Sequence, residues 1–251
     1  MIRNIEEMSL NALPALDNMT YDGWLLRFSK GHARRANSIC PLYFSKEEVR
    51  RKIEKCEKLY TSKGLDTIFK LTEEVYPSNL DSILEEEGYI IDAPTSVQIV
   101  HLDNIKEPRN KDIKCSSHIN EQWLETFCQV EPMTEERKVT LKNTLENIIP
   151  KKHFILIEHE GKAVGCGLGV VQDDFIGVYN IVVHKDYRNQ GYGRDIVLNL
   201  LKLGKEHGAN KAYLQVMLNN PPALKLYSNI GFKEEYKYWY RVKKRVDLLK
   251  G

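Results

Sequence analysis

The sequence predicts an α/β chain organised as two related units, the first of them degenerate. Two observations carry this reading. In the C-terminal half a helix ends at Gly208, a strand covers residues 211–218, and a second helix stops at Gly231-Phe232. In the N-terminal half a helix ends at Gly64, a strand covers residues 66–71, and a helix stops at Gly88-Tyr89. The two Gly-to-Gly spacings are 24 and 23 residues, and a β-hairpin pattern precedes each block. Self-similarity at a fixed period is the mark of a duplicated supersecondary unit.

Each element has its own local cause. Residues 24–28 and 36–42 read as hairpin strands, with 32–35 as a solvated turn. A helix is expected from Ser45, because Glu48 three residues on completes a capping box. Val49, Ile53, Cys56 and Tyr60 share its face. Residues 78–87 form the next helix. Charged residues and Pro108 cluster in 102–112, which reads as the joint, so domains of residues 1–105 and 113–251 are expected. Two helices open the second unit, with Glu131 in the turn between them. Residues 163–171 and 176–183 form its hairpin, and a helix follows with Ile196, Val197, Leu200 and Leu201 on one face. Tyr236, Tyr238 and Tyr240 alternate with Lys237, Trp239 and Arg241, which favours a final two-faced strand over a nucleic-acid-binding stretch.

Between the second hairpin and its helix lies Arg188-Asn189-Gln190-Gly191-Tyr192-Gly193. A strand, a basic Gly-bearing turn and a helix start together make a phosphate site. Glycines let the backbone approach without a Cβ, and the first helical N–H groups are unpaired donors at the positive end of the helix dipole. Such a turn alone should arise by chance in roughly a quarter of chains this long.

A second motif follows: Asn220, Ala223, Tyr227, Gly231 and Phe232, spaced Asn-x-x-Ala-x-x-x-Tyr-x-x-x-Gly-Phe. Together with Arg188, Gly191 and Gly193 in the pattern Arg/Gln-x-x-Gly-x-Gly/Ala, it resembles the GCN5-related N-acetyltransferase (GNAT) superfamily over about residues 113–245. The resemblance implies an α+β fold with a mixed central sheet flanked by helices. It also implies acetyl-CoA as co-substrate and acetyl transfer to a primary amine by direct attack in a ternary complex. Some members of the superfamily are tandems with one degenerate half. Residues 21–24 and 35–38 also look like the N-terminal portion of a bacterial subgroup.

The two copies differ in chemistry. Where the second has Gly191, the first has Ser45 to Glu48 and no glycine; where the second has Tyr227 and Asn220, the first has Leu84 and Pro77. One cofactor per chain is therefore expected, at the second unit.

The resemblance assigns roles residue by residue. The amides of Asn189, Gln190, Gly191, Tyr192, Gly193 and Arg194 would bind the CoA diphosphate, with Arg188 and Arg194 adding charge-assisted contacts. Val182 and Val183 would pair with the pantetheine arm through their backbone, at a bulge where two central strands diverge. Asn220 would hydrogen-bond the arm, cap the following helix, or do both. Tyr227 would be catalytic. A phenol of pKa near ~10 can hold a proton for a leaving thiolate whose own pKa is near ~8.5. The base for the amine is open among Glu131, Asp173, Asp174, His184 and a water relay. Tyr179 and Asn180 stand mid-strand, where the superfamily often has an acid, and neither is a good base.

Composition bounds the rest. The chain of 251 residues is 42% apolar, enough for one large or two small cores, and its net charge of +2 argues neither for nor against nucleic acid. Five cysteines without a C-x-x-C pair indicate neither a disulfide framework nor a zinc ribbon, and no metal is expected. A reducing, cytoplasmic setting fits this. The N-terminus has no apolar leader core, and the small-apolar run 163–171 is too short to span a bilayer. Expected partners are a small-molecule or peptide amine acceptor, with no nucleic acid and no membrane; a homodimer is left open. The competing reading is a non-catalytic acyl-CoA-binding or regulatory module. A Rossmann enzyme is rejected, since Ile196 or Val197 stands at the third glycine of G-x-G-x-x-G and no acidic ribose ligand follows in context.

Overall fold

The computed structural model describes residues 1–245; residues 246–251, the end of the expected second domain, lie outside the described residues. Two compact units are present, and neither is one continuous stretch of chain. Among the described residues, unit 1 comprises Met1–Arg3, Ala15–Thr95 and residues 236–245; unit 2 comprises Asn4–Pro14 and Ser96–Glu235. Helix α1 (Ile2–Ala12) thus falls largely in unit 2, where Ile5, Met8 and Ala12 are buried and Asn11 donates to Gln172 at 3.1 Å. Its helical spacing of apolar residues was not singled out from the sequence.

In unit 1, β1 (Asp17–Tyr21) and β2 (Trp24–Phe28) join through Asp22-Gly23, both at positive φ (42° and 82°), as a type I′ hairpin turn requires. Strand β1 was missed because its residues are mostly exposed and lack alternation. β3 (Ile39–Pro41) pairs antiparallel with β2 and parallel with β4 (Thr67–Thr72), across α2 (Val49–Ser62). Helix α3 (Leu80–Glu86) follows, and the chain leaves along β5 (Ile90–His101). The last strand among the described residues, β11 (Lys233–Lys243), pairs antiparallel with β4, Tyr238 opposite Thr72. Trp24, Ile53, Tyr60, Phe69, Leu71 and Leu84 form the apolar core.

The start of α2 corrects the expected capping box. Glu48 is itself the N-cap, its carboxylate accepting from the amides of Arg50 at 3.0 Å and Arg51 at 2.8 Å. Ser45 cannot cap because its hydroxyl is committed to Asp22 at 2.8 Å.

In unit 2, β6 (Ile113–Ser116), α4 (Glu121–Val130) and α5 (Glu135–Glu146) precede three long antiparallel strands. These are β7 (Lys151–His159), β8 (Lys162–Gln172) and β9 (Phe175–Val183). α6 (Tyr192–Glu206) then crosses to β10 (Lys211–Met217), parallel to β9, and α7 (Pro221–Ile230) follows. The β7–β8 turn, Glu160-Gly161, likewise has positive φ at both residues (50° and 76°). Both units are therefore mixed sheets in which antiparallel strands lead into one parallel pair.

Helix α6 lies close on β8 because of alternate glycines. A Cβ on Gly165, Gly167 or Gly169 would meet Ile196 at 3.0 and 2.7 Å or Leu200 at 3.0 Å. Burying Ile196, Val197, Leu200 and Leu201 there stabilises by about 2 kcal/mol each. That packing holds the N-terminus of α6 rigidly against the end of β9.

Candidate active site

The parallel β9–β10 pairing runs from Phe175 opposite Lys211 to Val178 opposite Leu214 and stops there. On its other side β9 is bulged: Leu168 faces Tyr179 and Cys166 faces Val182, so Asn180 and Ile181 together oppose Gly167. Asn180 takes φ 51° to make this extra residue fit. Beyond the bulge, Val182 (buried) and Val183 (half-buried) turn a strand edge toward β10 that no residue of β10 pairs. The carbonyl of Val183 accepts from Arg188 Nε at 3.2 Å.

The chain then enters a 3₁₀ turn (Lys185–Tyr187) and the basic Gly turn. Gly191 has φ 94°, a left-handed conformation that costs other residues about 1–2 kcal/mol. Gly193 differs. It is helical, and a Cβ there would make only ordinary contacts, with Leu226 at 3.5 Å and Val183 at 3.7 Å. The protein requires a glycine at the first position and would accommodate a Cβ at the second. The amides of Asn189, Gln190, Gly191, Tyr192, Gly193 and Arg194 meet no protein acceptor among the described residues; the first bond into the helix is from Asp195 to Gly191, at 3.0 Å. Such unpaired donors at a helix start fit a diphosphate.

Asn220 is the N-cap of α7, its side chain accepting from the Ala223 amide at 3.2 Å; its carboxamide nitrogen has no partner among the described residues. About two turns later, Tyr227 packs against Phe232, ring centroids 5.9 Å apart at 67°. Its neighbour Leu226 points to Gly193. Burial pushes the Tyr227 phenol up to about 12, and the hydroxyl makes no hydrogen bond among the described residues. At neutral pH it is a protonated, unused donor.

The base candidates separate. Asp173 and Asp174 form the β8–β9 turn, at the opposite end of β9 from Val182, a span of about 26 Å for eight residues of strand. Glu131 is an exposed C-cap residue of α4 with no side-chain contact to the residues above. Tyr179 is buried, its hydroxyl bonded to that of Tyr213, and Asn180 is held in the bulge. His184 stands at the right end of β9, half-buried, with Nδ1 3.4 Å from the Asp186 carboxylate.

Unit 1 has an anion of its own at the corresponding place. The Asp22 carboxylate accepts from the amides of Lys46 and Glu47 at 3.0 and 2.9 Å, and from Ser45 and the buried Lys52 ammonium. The Glu47 amide and then the Ser45 hydroxyl hold this carboxyl well below the usual range. Among the described residues no cluster of three or more His, Cys, Asp or Glu side chains is placed to hold a metal, and all five cysteines are free thiols.

A mixed sheet whose central parallel pair opens at a bulge, facing a glycine turn at a helix N-terminus, defines an acetyltransferase of the GNAT superfamily. The family model described as "Probable histone acetyltransferase Rv0428c C-terminal" matches residues 1–241, and the chain belongs to that family. It is 29% identical over 249 residues to the "Uncharacterized N-acetyltransferase YobR" of Bacillus subtilis, covering 97% of this chain and 99% of that one. Its fold is similar to a GCN5-related N-acetyltransferase from Kribbella flavida (TM-score 0.71, 15% identity, 98% and 96% of the two chains covered). It is also similar to a tandem GNAT protein from the clavulanic acid biosynthesis pathway (TM-score 0.63, 11% identity, 82% and 74% covered).

Arg109, Asp195 and Asn199 had no motif to mark them. Arg109 donates its backbone amide to the buried Asp195 carboxylate at 3.0 Å, and Asn199 donates to the Asn110 carbonyl at 2.9 Å. The sole sequence signal is a pair of polar residues four apart on an otherwise apolar helix face.

Proposed function

We propose that the chain moves an acetyl group from acetyl-CoA to a primary amine by direct attack in a ternary complex. The observation that carries this reading is the unpaired edge of β9 leading straight into six unbonded amides, with the Tyr227 phenol free on α7. Acetyl-CoA supplies the activated thioester. The amides of residues 189–194 would bind its diphosphate, and Arg188 and Arg194 would add charge. The backbone of Val182 and Val183 would take the pantetheine arm as an added strand, which requires Arg188 to release the Val183 carbonyl. Asn220 keeps its cap while its carboxamide nitrogen donates to the arm.

Tyr227 would hold a proton for the departing sulfur; burial keeps that proton on the phenol throughout the working range. No cysteine lies within the motifs, so no covalent relay is invoked. The amine must lose a proton, and His184 or a water chain at the same strand end would take it. Glu131 serves only if the acceptor pocket reaches the end of α4. We assign the cofactor chemistry to the second unit, which carries the glycine turn and α7, and a non-binding, structural role to the first, with the protein acting in the cytoplasm. No helix among the described residues is long and apolar enough to cross a membrane. The acceptor class, from small amine to peptide N-terminus, is the next variable to screen.

The second reading, a non-catalytic acyl-CoA-binding module, draws on the lack of a carboxylate on β9. Thiol release from acetyl-CoA across an amine panel, with Tyr227→Phe as control, separates the two. Amine-dependent release supports transfer, and CoA binding with no release by any amine supports the module.

A further inference from the structure

The segment before β6 carries an arginine onto the glycine turn. The guanidinium of Arg109 donates through Nη2 to the Gln190 carbonyl at 3.0 Å. It fills the space a side chain would take at Gly191, where a built Cβ would lie 1.4 Å from Nη2. The segment is pinned to α6 at several points. The Arg109 amide bonds Asp195, Asn199 holds the Asn110 carbonyl, and Glu107 faces Lys202 at 3.8 Å.

Arg109 pairs with the buried Asp195 carboxylate at 3.8 Å, yet its side chain is 65% exposed and the Gln190 carbonyl it bonds is neutral, so its remaining N–H groups are open to an anion. An anchored guanidinium beside six unbonded amides adds charge-assisted donors to theirs.

We propose that Arg109 is a ligand for the CoA diphosphate, held on the phosphate turn by Asp195 and Asn199. This rests on the CoA reading above. The second role of Gly191 follows: the missing side chain makes room for the guanidinium as well as for the turn.

The test is calorimetry with CoA, 3′-dephospho-CoA and pantetheine, on the full chain and on its Arg109→Gln and Arg109→Lys variants. A lost charge-assisted contact weakens binding about ten- to a hundred-fold. Arg109→Gln should lose that much for CoA and equally for 3′-dephospho-CoA, with a shallower salt dependence. Pantetheine affinity should not change, and Arg109→Lys should recover part of the loss. The backbone bond to Asp195 survives either substitution, so the melting temperature should barely move. Unchanged CoA affinity in Arg109→Gln overturns the assignment. So does an equal loss for pantetheine, which would mark a structural role, or a loss spared by 3′-dephospho-CoA, which would move the contact to the 3′-phosphate. Failure of the unaltered chain to bind CoA would count against the proposed function instead.

Discussion

The Asp22 carboxylate accepts the backbone amide of Glu47 at 2.9 Å and so closes the entrance of α2 with an internal anion. The same carboxylate takes Lys46, Ser45 and the buried Lys52. Unit 1 thereby satisfies at its own loop the donors that unit 2 leaves unbonded at Asn189 through Arg194. One CoA should bind per chain, and a calorimetric stoichiometry of two would show that the first unit retains a site.

The same contact makes a pH-dependent contribution to stability. The folded Asp22 carboxyl titrates well below its unfolded value of ~3.9. Its stabilisation is therefore present above about pH 4 and is lost as pH falls below that. Asp22→Ala should lower the melting temperature at pH 7, because Lys52 loses its carboxylate. The gap between variant and parent should narrow below pH 4. A constant gap from pH 7 to pH 3 would mean that the carboxylate's charge is not what stabilises the loop.

The two glycines of the phosphate turn should respond oppositely in stability. Gly191→Val places a β-branched residue at φ 94°, so it should destabilise by about 1–2 kcal/mol and abolish CoA binding. Gly193→Ala meets only ordinary contacts in a helix, so it should leave stability unchanged or raise it by up to ~1 kcal/mol. Its CoA affinity should be retained, since the motif takes glycine or alanine at this position. Calorimetry paired with thermal denaturation reads both, and full CoA affinity in Gly191→Val contradicts the site.

Tyr227→Phe removes a hydroxyl that bonds nothing in the described structure, so folding should be unaffected. Losing one positioned acid lowers rate by ~10²–10⁴. Turnover should drop at least ten-fold with acetyl-CoA affinity retained, and less with an acyl donor of more acidic thiol. Because the folded phenol titrates near 12, above its unfolded ~10, its contribution to stability is complete below pH 10 and fades above it. The Phe variant should lack that alkaline loss. Full activity would reduce Tyr227 to a packing residue.

The last strand is tied to α3 by Arg241, which grips Asp81 through Nε at 2.9 Å and Nη2 at 2.8 Å, while Trp239 donates to the same carboxylate at 2.6 Å. Asp81→Ala leaves a buried guanidinium with Glu85 at 3.4 Å as its remaining carboxylate and the Tyr89 carbonyl at 3.2 Å. Destabilisation of about 2–4 kcal/mol is expected, read by urea denaturation. A loss under 1 kcal/mol would show that Glu85 compensates.

What the sequence determined by itself was local. The 3.6 period placed α6, the glycines and Asn220 marked its entrance and the cap of α7, and the alternation at Tyr236–Arg241 was enough to read β11 as a strand. Tertiary structure decided what lies next to what. Ser45 looked like a cap until Asp22, 23 residues earlier, took its hydroxyl. Asp173 and Asp174 looked like bases until the strand carried them to the wrong end. Arg109 reached Gln190 across 81 positions with no motif to announce it. Periodicity and turn chemistry are set by neighbours in the chain. Such distant meetings depend on strand register and on the close seat of α6 over the β8 glycines, which no local pattern specifies.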